Sequence, residues 1–305
     1  MFIFNNRILS VDMGSHSYKL IEAKLKPELR IMHYGAYPKE QLLEEVPTNR
    51  ELKRLGFHTR DAVLSYHHSS FMVREMHFPV EDDALVHLSI QDKIQQYETD
   101  FKEELDYDYT IRLQEGESEI YHATTVAVSK SINRNYIDQA IGFGLKPLFV
   151  DVQINAIQRV IKKAWNFDYL LVDIGYENIS VGIGCTEYVP MLKVIPIGYK
   201  SLQEDSCQIE EILIQIQSAC RQLMQYRRNK SIKNIFKRGI LYGGGAYIPE
   251  IKNCLKEKIP LEWCDLQALH QFLPLIPDDL DLNIYGNCLG SLLLDEKRQQ
   301  GGMSI

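Results

Sequence analysis

The chain has 305 residues, 45% of them hydrophobic and 25% charged, with a formal net charge of −7 and an isoelectric point near 5.8. This composition is typical of a water-soluble globular protein, and the length predicts about two domains. The acidic balance disfavours nucleic acid as the main partner, because phosphate backbones bind basic faces. The six cysteines form no CxxC pair, which favours a reducing compartment over a disulfide framework or a zinc site.

The sequence contains no apolar run of the roughly 18 residues that a transmembrane helix needs. The opening MFIFNNR is too short for a signal-peptide core. We therefore expect a cytoplasmic protein that reaches the inner face of the membrane through a partner, without inserting directly.

The first informative segment is LSVDMGSHSYKLIEA, residues 9–23. An apolar run ends at Asp12, Gly14 follows, and a second alternating run begins after a few polar residues, which predicts a strand, a tight turn and a returning strand. A turn at glycine has no Cβ in the way, so its backbone N–H groups can approach an anion. Ser15 and Ser17 could add hydroxyl donors, and Lys19 adds a positive charge.

The next segments predict a strand at 30–38, a helix-compatible stretch around 41–55, and strands at 62–66 and 71–78. Between Glu81 and Leu145 the pattern then becomes helix, strand, strand, helix, which predicts a small α+β subdomain inserted into the first half. A strand at 148–152 and a helix with apolar residues at helical spacing follow.

The inserted segment is unusually acidic. Nine acids against two basic residues lie between Glu98 and Glu119. A solvated edge explains such a run, and so does a docking surface for a basic segment of another protein.

The segment LLVDIGYENISVGIG, residues 170–184, repeats the pattern of the first hairpin. Asp173 and Gly175 take the places of Asp12 and Gly14, more than half the chain away, and Ser180 could supply a further hydroxyl. Two such turns indicate two similar halves that face each other across a cleft. A carboxylate beside an anion-binding turn would repel phosphate unless Mg²⁺ lay between them, so the pair predicts a metal-bound polyphosphate.

Beyond the second hairpin, residues 209–223 place apolar side chains on one stripe of a long helix. The segment LYGGGAYIP then predicts a buried strand, a loop at Gly243, Gly244 and Gly245, and a helix that begins near Pro249. This is the general shape of a nucleotide contact, although neither GxGxxG nor GxxxxGK[ST] occurs.

Two DxG hairpins and a late GGG loop together resemble the actin-like ATPase superfamily. Within it, the stretches VDMGSHSYKLIE, VAVSKSINRNYIDQAIGFGLKPLFVDVQINAI, LVDIGYENISVGI and LYGGGAYIP are similar to the PilM family of the type IV pilus inner-membrane assembly platform. The resemblance covers nearly the whole chain. It departs at the second turn, where Tyr176, Glu177, Asn178 and Ile179 replace the family's Thr/Ser-rich residues.

The resemblance implies an α/β actin-like fold of two duplicated halves around a nucleotide cleft. The first domain would comprise residues 1–78 and 147–169. An inserted subdomain of the kind shared with FtsA would span 79–146, and the second domain would span 170–305 with a helical part at about 201–236.

The resemblance also implies a bound ATP or ADP with Mg²⁺ held near Asp12 and Asp173. Phosphate contacts would come from Gly14, Ser15, His16, Ser17, Lys19 and Gly175, and the adenosine would lie beside Gly243, Gly244 and Gly245.

The implied function is a cytoplasmic scaffold that receives the N-terminal cytoplasmic segment of a PilN-like membrane protein and links the platform to the pilus motor. We expect Asp106 and Asp108 of the acidic segment to contribute to a surface for that basic peptide. Weak ATPase activity or none fits this scaffold. The alternatives are a phosphotransferase or chaperone-type ATPase, an FtsA-like division protein, and a degenerate actin-like protein with an empty cleft.

Overall fold

A computed structural model of the chain describes residues 7–39, 49–79, 83–114, 120–184, 191–201, 209–229, 236–273 and 275–293. Some of the predictions lie outside these ranges. They are most of the helix-compatible stretch at 41–55 and part of the helical region at 201–236. The end of the acidic segment, at 115–119, also lies outside them.

Two five-stranded sheets carry most of the fold. The first is built from β1 (Arg7–Met13), β2 (Ser17–Lys24), β3 (Arg30–Pro38), β4 (Asp61–Tyr66) and a later strand that we call β8 (Lys146–Val152). Its order is β3-β2-β1-β4-β8, with β1 antiparallel to β2 and parallel to β4. A short helix, α1 (Asn49–Arg54), precedes β4.

The second sheet repeats this topology. It contains β9 (Tyr169–Ile174), β10 (Ile179–Gly184), β11 (Met191–Ile195), β12 (Arg238–Tyr242) and β13 (Glu262–Asp265) in the order β11-β10-β9-β12-β13. Strand β9 is antiparallel to β10 and parallel to β12, as β1 is to β2 and β4. Both predicted hairpins are therefore present, each on the central strand of its sheet, and the duplication expected from the two DxG turns is confirmed.

Two helices join the halves into one core. Helix α4 (Gln153–Lys162) follows β8 of the first sheet, yet its apolar residues pack with Tyr169, Leu171 and Ile240 of the second. Helix α7 (Leu282–Leu292) comes from the second half and packs on β1, β2 and β4 of the first sheet. The two helices also contact each other, where Arg159 Nε donates a hydrogen bond to the carbonyl of Gly290 at 2.8 Å.

Two further helices cover the other face of the second sheet. Helix α5 (Ile209–Asn229) and helix α6 (Pro249–Lys258) pack against the apolar residues of β9 and β10. The predicted stripes on α4 and α5 are buried as expected, including Ile154, Ile157, Ile212 and Ile216. Two short 3-10 helices, Gly244–Tyr247 and Leu266–Phe272, complete this half.

Residues 68–139 form a second compact unit. Its sheet has the order β5-β7-β6, built from β5 (Met72–Pro79), β6 (Leu105–Gln114) and β7 (Ile120–Ser129). Helix α2 (Asp83–Phe101) packs on it through Val86 and Ile90, and helix α3 (Lys130–Gly142) begins in the same unit. Strand β5 belongs to this unit because it pairs with β7. The insertion predicted at 79–146 begins at the end of β5 and would leave that strand in the first domain. The insertion itself remains a prediction.

The described helices include none that is both long and apolar enough to cross a membrane. The four cysteines within the described ranges, Cys220, Cys254, Cys264 and Cys288, are free thiols.

The contact between α4 and α7 depends on a glycine. A Cβ added at Gly290 would lie 1.9 Å from the carbonyl oxygen of Ala156. We therefore expect Gly290→Ala to separate the helices and to lower the free energy of unfolding by about 1–3 kcal/mol, measured by urea denaturation. Gly142→Ala is the matched control, since a Cβ there would meet nothing within 4 Å. Equal stability of the two variants would contradict the close packing.

Candidate functional site

Asp12 lies near the carboxyl end of β1 and is almost completely buried, with 3% of its surface exposed. Gln153, the first residue of α4, donates a hydrogen bond from Nε2 to Asp12 Oδ1 at 2.5 Å. Lys19 lies opposite Asp12 in the β1–β2 ladder, and its Nζ is 3.8 Å from Asp12 Oδ2. The first carboxylate is thus held by an amide and by a positive charge.

Asp173 occupies the equivalent place on β9. It lies opposite Ser180 in β10 and opposite Tyr242 in β12, and the Tyr242 hydroxyl donates a hydrogen bond to its carboxylate. Burial, followed by the negative charge of Asp12, raises the pKa of Asp173 from 3.8 to about 7, against the opposing effects of Lys19 and Tyr242.

The two aspartates are therefore close enough to repel each other, although they belong to different sheets. A group that placed positive charge between them would relieve this repulsion. Mg²⁺ is usually bound by one or two carboxylates together with the phosphates of a substrate. Two carboxylates beside glycine turns could supply such oxygen ligands. The residues present thus fit a magnesium-bound polyphosphate.

The two turns above the aspartates owe their shape to glycine. A Cβ at Gly14 would lie 2.7 Å from Lys19 Nζ and 2.8 Å from the Ser17 carbonyl oxygen. A Cβ at Gly175 would lie 2.7 Å from the Asn178 carbonyl oxygen. The Gly175 N–H itself donates to that carbonyl at 2.9 Å, so this amide closes its own turn.

The two turns also touch. His16 and Ser15 are exposed at the tip of the first turn, and the His16 ring lies 4.4 Å from the ring of Tyr176 in the second, with the planes tilted by 30°. Tyr176 in turn packs edge-on against Tyr199 at 5.2 Å. The turns therefore face each other, and Tyr176, the first of the four residues at which the second turn departs from the expected pattern, makes the contact between them.

The glycine loop is built around Asp173. Gly243 has a φ of +89°, a conformation that other residues rarely adopt, and a Cβ there would lie 2.3 Å from Asp173 Oδ1. Gly244 is exposed beside the Tyr199 ring, whereas Gly245 is buried against Ile174. Of the three predicted adenosine contacts, Gly244 is thus exposed, Gly243 is partly exposed and Gly245 is buried.

A small pocket continues below Asp173. His67, Gln153, Ser180 and Tyr242 supply its polar groups, and Ile154 and Leu171 are among its apolar ones. The Ser180 hydroxyl and His67 Nε2 are 3.4 Å apart, so the first and second halves meet here as well.

The sequence did not identify Gln153, Tyr242, His67 or Tyr199 as site residues. Gln153 directly follows β8, and Tyr242 is the last residue of β12. Each of these strands runs parallel to the central strand of its sheet. Carboxyl ends of neighbouring parallel strands meet at one sheet edge, and that rule could have found both.

The predicted partner residues lie in the unit of residues 68–139. Asp106 Oδ2 accepts a hydrogen bond from Asn133 Nδ2 at 2.6 Å, and Asp108 Oδ1 accepts from the backbone N–H of Tyr109 at 2.8 Å. Asp108 is exposed, while Asp106 is partly buried. Both lie on β6, two residues apart, and thus on one face of the sheet.

Comparison with solved structures identifies the fold. A chain of the PilM-PilN type IV pilus biogenesis complex matches with a TM-score of 0.70 and 16% sequence identity, over 94% of this chain and 97% of that one. The cytoplasmic domain of EpsL, an inner-membrane component of the type II secretion system of Vibrio cholerae, matches with a TM-score of 0.48 and 12% identity over 89% and 96% of the two chains. A Bacteroides thetaiotaomicron protein with an actin-like ATPase fold gives 0.46 and 11% over 91% and 100%.

No protein-family model and no curated protein sequence matches the chain. The structural likeness, together with the duplicated sheets, confirms the predicted actin-like ATPase fold.

The raised pKa of Asp173 predicts how stability depends on pH in the absence of divalent cations. Between pH 4 and pH 7 the folded protein binds the Asp173 proton more tightly than the unfolded chain does, so stability falls as pH rises through this window. Asp173→Asn removes the repelling charge and keeps an acceptor for Tyr242. We expect this variant to be more stable than the wild type at pH 8 by at least about 1.4 kcal/mol, the equivalent of one pKa unit, and the difference to vanish towards pH 4.

Urea denaturation in EDTA at both pH values measures this difference. Glu257→Gln, at an exposed position on α6, should leave the pH profile unchanged. A wild-type protein at least as stable as Asp173→Asn at pH 8 would show that the two carboxylates do not strain the fold.

Proposed function

We propose that the protein is an ATP- or ADP-binding scaffold in an assembly platform like that of the type IV pilus. The observation that carries the proposal is the approach of Asp12 and Asp173 beneath two glycine turns. The fold that contains them matches one chain of the PilM-PilN complex over 94% of the present chain. The nucleotide would set how the two halves close, since a ligand shifts a conformational equilibrium only through its different affinities for the two states.

In this proposal Asp12 and Asp173 hold Mg²⁺, and Lys19 balances the charge of the terminal phosphates. The backbone of Gly14, Ser15, His16 and Ser17 supplies N–H donors to the phosphates. Gly175 contributes mainly by its missing Cβ, because its N–H is already used within the turn. Gly243, Gly244 and Gly245 border the adenosine.

We further propose that the partner is the N-terminal cytoplasmic segment of a PilN-like membrane protein. The proposal rests on the complex in which the matching chain was solved. Such a partner would hold the protein at the inner face of the membrane and connect it to the pilus motor. The negative charge around Asp106 and Asp108 fits a basic, membrane-proximal peptide.

One observation favours a second candidate, a rigid scaffold whose cleft stays empty. The His16–Tyr176 contact joins the two turns directly, and aromatic pairs contribute about 0.5–1.5 kcal/mol beyond their buried area. That contact would hold the turns together without a ligand.

Calorimetric titration with Mg·ATP separates the two candidates. We expect the wild type to bind one nucleotide, and Asp12→Asn to weaken binding at least about tenfold, because it removes one of two metal carboxylates. Asp61→Asn is a matched control, since Asp61 begins β4 in the same sheet and pairs with Lys146. Absence of binding by the wild type would favour the empty-cleft scaffold.

The partner surface is tested with a synthetic peptide of the membrane partner's cytoplasmic segment. Asp108→Lys should weaken its binding several-fold at low salt, and less at high salt because the attraction is screened. The double variant Asp106→Lys/Asp108→Lys should weaken peptide binding further. It also removes the hydrogen bond that Asp106 accepts from Asn133. Glu257→Lys, in the other unit, controls for net charge. Unchanged binding by Asp108→Lys and by the double variant at low salt would refute the proposed surface.

A further inference from the structure

Two histidines and a glutamate lie together on the sheet of residues 68–139, a unit to which neither the nucleotide nor its metal is assigned above. His77 of β5 and His122 of β7 are directly opposite each other in the antiparallel ladder. Glu75 lies two residues before His77 on β5, so its side chain projects from the same face. Strand register alone therefore brings the three side chains together.

Their atoms converge closely. His77 Nε2 is 3.7 Å from Glu75 Oε2, and His122 Nδ1 is 3.5 Å from Glu75 Oε1. The two imidazole rings meet edge to face with centroids 4.5 Å apart. One ligand atom from each residue can be chosen so that all three lie within 4.8 Å of one another.

This spacing is close to what a metal ion requires. Zinc binds histidine nitrogen and carboxylate oxygen at about 2.0–2.2 Å in a tetrahedron, whose ligand atoms are then about 3.4 Å apart. Two imidazoles and a carboxylate are a donor set that suits Zn²⁺ and related first-row ions better than Mg²⁺ or Ca²⁺, which prefer oxygen alone. Small rotations of the side chains would bring the measured distances to the tetrahedral value.

We propose that Glu75, His77 and His122 bind a divalent transition-metal ion of the Zn²⁺ type, with water as the fourth ligand. The side chains are 26%, 39% and 19% exposed, respectively, so an ion can enter from solvent while the strands fix the ligands.

The ion would act as a structural clip. Strand β5 lies at the edge of the order β5-β7-β6, and the proposed ligands join it to the central strand β7 across a sequence that includes α2 and β6. A metal that binds the folded unit and not the unfolded chain stabilises the fold by RT ln(1 + [metal]/Kd), so tighter binding gives a larger increase in stability. The sequence offers only a faint signal of this site, a Glu-x-His pair on a strand, because His122 is brought in by pairing alone.

The test uses the full-length protein under reducing conditions. Co²⁺ is added first, because tetrahedral coordination gives it visible absorption bands, and Zn²⁺ is then titrated by calorimetry and by displacement of Co²⁺. We expect one ion per chain and a higher unfolding temperature with Zn²⁺. His77→Ala and Glu75→Gln should each weaken Zn²⁺ binding at least about tenfold and abolish the stabilisation.

His87→Ala is the matched control, because His87 lies on α2 in the same unit and bonds to Tyr109; it should bind Zn²⁺ as the wild type does. Glu75→Gln keeps the size of the side chain, so it tests the site even if an alanine variant unfolds. Zn²⁺ binding that is equal in wild type, Glu75→Gln and His77→Ala, or that is lost only when Cys254 and Cys264 are replaced by serine, would overturn the proposal. So would the absence of binding by the wild type.

Discussion

The mutual repulsion of Asp12 and Asp173 is the constraint around which the larger unit is arranged. Each carboxylate lies on the central strand of its own sheet, and bringing the sheets together places two negative charges in a poorly solvated region. The fold offsets this cost with an amide from Gln153, a hydroxyl from Tyr242 and the charge of Lys19. Position 243 requires glycine for two reasons, because its φ is positive and because a Cβ there would strike Asp173.

The parts of the site that could be predicted from sequence are those whose pattern is local. In each DxG turn the strand, the acid and the glycine lie within a few residues of one another, so the pattern can be recognised locally. The two copies of this pattern predicted the duplicated halves that the sheet topology shows. The buried stripes of α4 and α5 were likewise readable from helical spacing.

The parts that could not be predicted depend on pairing between distant segments. Gln153 reaches Asp12 only because β8 joins the first sheet, and His77 meets His122 only because β5 pairs with β7. Likewise, the altered second turn could be seen in the sequence, but its contact with His16 depends on how the two halves meet. The periodicity of a sequence describes one segment at a time. It therefore carries no information on which distant segments pair or make contact.

The exchange of helices between the halves has a consequence for how the chain is made. Helix α7 covers β1, β2 and β4 with residues such as Tyr285, Leu289 and Leu292, which share one core with Ile8 and Ile21. During synthesis those early strands emerge from the ribosome long before residue 282 does. Their apolar face therefore lacks this cover until α7 has been translated, and apolar surface exposed in this way makes a partly folded chain prone to aggregation.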